Sequence, residues 1–130
     1  MKPIEEVFEG TSYWDYKPLL ESMGHEIVLQ VDDQDYQGDS RLLLKDGDRY
    51  GLLIFGWGSC SGCDALQACD TLRQVDGLRR ELYDSIIWKD SAAGMLSFIR
   101  DRDWLAQYSW HADETKEFVA KAVTMLEGKA

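Results

Sequence analysis

The sequence predicts an α+β fold, an antiparallel sheet of about four strands with helices packed mainly on one face. Three observations carry this expectation. Two apolar runs, Leu42 to Leu44 and Leu52 to Phe55, flank Asp46-Gly47, a two-residue hairpin signal. The segment before them, His25 to Val31, alternates apolar and polar residues as a half-buried strand does. Beyond residue 70 the apolar residues recur at helical spacing, interrupted only by a short strand-like stretch at Ile86 to Lys89. At 130 residues the chain is read as one domain, residues 1–130.

The elements follow in order. Residues 1–14 form an irregular lead-in with Phe8, Tyr13 and Trp14. Asp15 is placed to cap a short helix that carries Pro18 in its first turn and stops at Gly24. Ile27, Leu29 and Val31 share one face of the first strand. Arg41 to Lys45 and Arg49 to Trp57 are continuously apolar at their centres, which marks strands covered on both faces. Asp70 or Thr71 opens a helix with Leu72, Val75, Leu78 and Leu82 inward; Ser91 opens another with Met95, Leu96 and Ile99 inward. Asp113 is expected to cap the last helix, with Phe118, Ala122, Met125 and Leu126 on one face and Gly128 as its stop.

The net charge of -10 narrows the function classes. Duplex nucleic acid is bound chiefly through Lys and Arg on phosphate, so direct duplex binding is not expected. A protein partner with a basic surface is, because opposite fields speed encounter and fix orientation. No apolar run approaches the ~20 residues of a membrane span. The Met-Lys-Pro-Ile-Glu-Glu start lacks a hydrophobic signal region, and three cysteines without one point to reduced thiols and a cytoplasmic setting.

Cys60, Cys63 and Cys69 stand in Gly-Trp-Gly-Ser-Cys-Ser-Gly-Cys-Asp-Ala-Leu-Gln-Ala-Cys-Asp, residues 56–70. They are the candidate metal ligands, with zinc the ion and His25, His111 or Asp64 the fourth donor. Neither histidine lies at ligand-like spacing from them. The run Trp57 to Cys63 is similar to a thioredoxin dithiol, but both prolines, Pro3 and Pro18, lie upstream, where no cis-proline can face it. Small residues also permit a sharp structural turn, with the thiols as small hydrophobes. From Tyr50 to Asp70, above all in GWGSCSGCDALQACD, and loosely on to Ser85-Ile86-Ile87-Trp88, the chain resembles a segment of small bacterial and phage proteins. The likeness implies a bacterial or phage cytoplasmic context and transfers no activity.

Asp32, Asp33, Asp35 and Asp39 crowd one turn. The run Asp33 to Gly38 matches the first half of a calcium loop, but position twelve is Leu44 instead of a bidentate Glu. These four carboxylates, with Trp104 and Trp110 as exposed aromatics, are the candidate partner-binding residues. The leading expectation is therefore a small acidic, non-enzymatic binding module without a cofactor, an inhibitor or adaptor that docks on a basic partner. The alternatives are a cysteine-ligated zinc protein and a thiol redox enzyme.

Overall fold

The computed structural model describes residues 1–8, 13, 15–58, 64–104 and 111–130. A 3-10 turn, Ile4–Glu6, precedes helix α1, Tyr16–Glu21. Strands β1 (Glu26–Asp32), β2 (Gly38–Asp46) and β3 (Arg49–Trp57) follow. Helix α2 (Leu72–Asp84), strand β4 (Ile87–Lys89), helix α3 (Ala92–Asp101) and helix α4 (Ala112–Glu127) complete the order. The strands lie side by side in sequence order and every pairing is antiparallel.

The α+β class and the four-stranded antiparallel sheet are as the sequence predicts. The helices, however, divide between the two faces of the sheet. Leu42, Leu44, Leu53 and Phe55 pack with Leu19 and Leu20 of α1 and Val75 and Leu82 of α2. Leu43, Leu52 and Val31 pack with Met95 and Ile99 of α3 and Phe118, Ala122 and Leu126 of α4. The cause is in β2 and β3 themselves. Successive side chains of a strand point to opposite faces, so an unbroken apolar run needs cover on both.

Local chemistry fixes the ends of the elements. Asp15 accepts a hydrogen bond from the Lys17 N–H at the start of α1, and Gly24, with φ of 85°, ends the turn after it. Thr71 and Gln74 form a reciprocal capping box on α2, and Ser91 accepts from the Gly94 N–H on α3. The hairpin is displaced by one residue from the sequence expectation. Asp46 pairs with Arg49, so the loop is Gly47-Asp48, and only Gly47 has positive φ, at 63°. Helix α4 is capped at His111, without a side-chain bond, and Asp113 falls inside its first turn.

A bulge in β1 corrects another expectation. Ile27 faces Leu44, but Leu29 faces Leu43, so Val28 is the extra residue. Ile27 therefore packs on the α1–α2 side while Leu29 and Val31 pack on the α3–α4 side.

Candidate functional site

At the end of the sheet where β1 leaves and β2 begins, residues 33–39 form a closed loop. The Asp33 N–H donates to the Asp39 carbonyl at 3.0 Å, and the Asp39 N–H donates to Oδ2 of Asp33 at 2.7 Å. The other oxygen of Asp33 accepts from Nη1 of Arg41 at 2.8 Å, and both side chains are 0% exposed. Gly38 crosses directly over this carboxylate. A Cβ there would lie 2.6 Å from both Cβ and Oδ2 of Asp33, so only glycine fits.

The loop tip is solvent-facing. Asp35 is exposed and holds the Tyr36 N–H at 2.7 Å; the Tyr36 side chain stands 84% exposed. Asp32 and Asp39 are half-buried. Burial and the neighbouring Asp33 carboxylate raise the pKa of Asp39, against the opposing pull of Arg41 and His111.

Two clefts flank the loop. One, of about 660 Å³, is lined by Asp15, Lys17, Glu21, Asp32 and Asp64 together with Tyr16 and Trp57. Asp64 is buried there and accepts from the Tyr16 hydroxyl at 3.1 Å and from the Gly58 and Gln67 N–H groups at 2.9 Å each. Burial, with the Asp64 carboxylate beside it, pushes the Tyr16 phenol well above its ordinary range. The second cleft, of about 470 Å³, is lined by Asp35, Asp39, Gln37, Trp57 and His111. His111 projects from the start of α4. Its Nε2 lies 3.6 Å from Oδ2 of Asp33 and its Nδ1 lies 3.6 Å from Oε2 of Glu114.

Several sequence-predicted site residues require correction. Asp33 is not an exposed contact for a protein partner: its side chain is buried, with Oδ1 on Arg41 and Oδ2 on the Asp39 N–H. Trp104 is 6% exposed; its Nε1 donates to the Ile99 carbonyl at 2.9 Å and its ring lies against Phe118. It belongs to the core between α3 and α4. Trp110, Cys60 and Cys63, like Trp14, lie outside the described residues.

Cys69 is half-buried, and its thiol donates to the Ala65 carbonyl at 3.3 Å. Burial, then the carboxylates of Asp64, Asp70 and Glu81, push that thiol above its ordinary value, which disfavours the thiolate. The histidines named as possible fourth ligands stand in other settings. His25 is stacked on Tyr83 and edge-on to Trp88, with burial lowering its pKa. His111 stands with Asp33 and Glu114, which among the described residues form the gathered trio of metal-type donors.

Sequence reasoning missed Tyr36, Glu114 and Arg41. The signal for Arg41 was present: a cation at the head of an apolar strand calls for a buried counter-charge. The chain matches no family model, no curated protein and no solved structure. Among the described residues, no helix is long and apolar enough to cross a membrane.

Proposed function

We propose that the chain is a non-enzymatic docking module that binds a basic protein surface through the 32–39 loop and the clefts beside it. One observation carries the reading. Asp15, Glu21, Asp32, Asp35, Asp39 and Asp64 all line the two clefts at this end of the sheet, and Lys17 is the one lysine or arginine among the described lining residues. Clustering of one sign raises the local field and steers a cationic partner in. Tyr36, exposed beside Asp35 at the loop tip, supplies contact area of the kind that dominates binding energy once desolvated. The Asp33–Arg41 pair and the reciprocal Asp33–Asp39 bonds hold the loop in shape beforehand, which reduces the ordering cost of association. The setting this reading implies is a bacterial or phage inhibitor or adaptor in the cytoplasm.

The test compares capture of basic proteins from bacterial lysate by the wild type and by a D35N/Y36A variant, over a series of salt concentrations. The reading expects a partner retained at low salt, released as salt rises and lost with the variant. Equal retention by both proteins, or retention insensitive to salt, contradicts it.

A further inference from the structure

We propose that Asp33, His111 and Glu114 form a binding site for a first-row divalent metal ion, distinct from any site built on the cysteines. Two parts of the chain supply the donors: the closed loop after β1 gives Asp33, and the start of α4 gives His111 at its cap and Glu114 in its first turn. One ligand-type atom from each lies within 4.8 Å of the others. In a tetrahedral site with bonds of ~2.0–2.1 Å the donors sit roughly 3.3–3.5 Å apart. The 3.6 Å between Nε2 of His111 and Oδ2 of Asp33 is close to that spacing and too long for a good hydrogen bond, while Glu114 lies 3.6 Å from the other ring nitrogen, Nδ1. An ion on Nε2 and Oδ2 would gain its third protein donor when the Glu114 carboxylate turns toward that nitrogen, from a starting geometry in which the three residues' donors lie within 4.8 Å of one another.

The donor set is one imidazole and two carboxylates, which suits zinc or manganese better than the soft ions that thiolates select. Oδ1 of Asp33 is held by Arg41, and Oδ2 receives the Asp39 N–H while keeping a further lone pair for a metal. His111 also lines the 470 Å³ cleft, which gives an ion a way in and leaves room for water in an open coordination position. Asp39 lines the same cleft as an additional oxygen donor.

The test is a manganese titration of the isolated protein, read by loss of the free-ion paramagnetic resonance signal. Manganese favours nitrogen and oxygen donors and so avoids the thiols. One tight equivalent is expected in the wild type. E114Q and H111A should each weaken it tenfold or more, whereas a C60S/C63S/C69S variant should bind as the wild type does. Both Glu114 and His111 are 22% exposed at the side chain, so neither substitution opens the core. A metal-dependent rise in melting temperature, present in the wild type and absent from E114Q, is the second readout. Binding that ignores both substitutions, or no binding up to millimolar ion, overturns the site. No partner enters this measurement, so its failure leaves the docking reading standing, and the converse holds.

Discussion

The Asp33–Arg41 pair is the feature on which the shape of the acidic loop depends, and its removal should be costly. Both side chains are 0% exposed and the contact is 2.8 Å. Replacing Asp33 with Ala takes the carboxylate counter-charge from a buried guanidinium and the acceptor from the Asp39 N–H. Breaking one side of a buried ion pair costs about 3–5 kcal/mol. A whole domain has only about 5–15 kcal/mol to lose. At this chain length one kcal/mol corresponds to roughly 4 °C, so a fall of about 12–20 °C in Tm is expected. Urea unfolding followed by tryptophan fluorescence measures the same quantity as a shift in midpoint at constant slope. Arg41→Met should also destabilise, and the D33A/R41M double variant should lose less than the two singles added together, because neither charge is left buried without the other. An Asp33→Ala protein within ~1 kcal/mol of wild type would refute the argument that the pair is desolvated and structurally required.

Further outcomes follow from other sites. His25 has its pKa lowered from 6.5 by burial, so below about pH 6.5 the unfolded chain takes up a proton that the folded chain resists. Stability should therefore fall with falling pH until the folded-state pKa is passed, and His25→Phe, which keeps the ring contacts with Tyr83 and Trp88, should remove that component; parallel wild-type and variant curves in denaturant titrations between pH 7 and 5 would exclude it. Gly38→Ala should destabilise the protein and disturb the loop, since its methyl group would meet Asp33 at 2.6 Å, and an unchanged midpoint of thermal unfolding would show that the crossing is loose. Thr71→Ala removes a capping box and should cost about 1 kcal/mol in denaturant unfolding. Alkylation of Cys69 in a C60S/C63S background should still accelerate above about pH 9, and a rate plateau below pH 8 would contradict the raised thiol pKa.

The sequence made β2 and β3 legible because their apolar runs and the glycine between them leave few alternatives. It also made the capped starts of α1, α2 and α3 legible, since Asp15, Thr71 and Ser91 precede periodic apolar stretches. The face of β1 was not legible. Period-two reading assumes unbroken pairing, and one extra residue at Val28 transfers Leu29 and Val31 to the opposite side. Burial of Asp33 was hidden for a related reason. In one dimension it belongs to a solvated acidic run; in three, the chain reverses at Gly38 and brings Arg41 back against it. Trp104 was misplaced because aromatic clustering in sequence does not distinguish an exposed face from a core between two helices. The grouping of His111 with Asp33 joins residues from opposite ends of the chain, and no local pattern announces it.

The central claim is that the 32–39 loop is the recognition surface. Amide hydrogen exchange of the protein, free and bound to a captured basic partner, tests it most directly. Protection should appear at residues 34–37, with the outer face of α2 unchanged. Protection centred on α2 or on the β4 edge, with the loop exchanging as freely as before, would contradict the account.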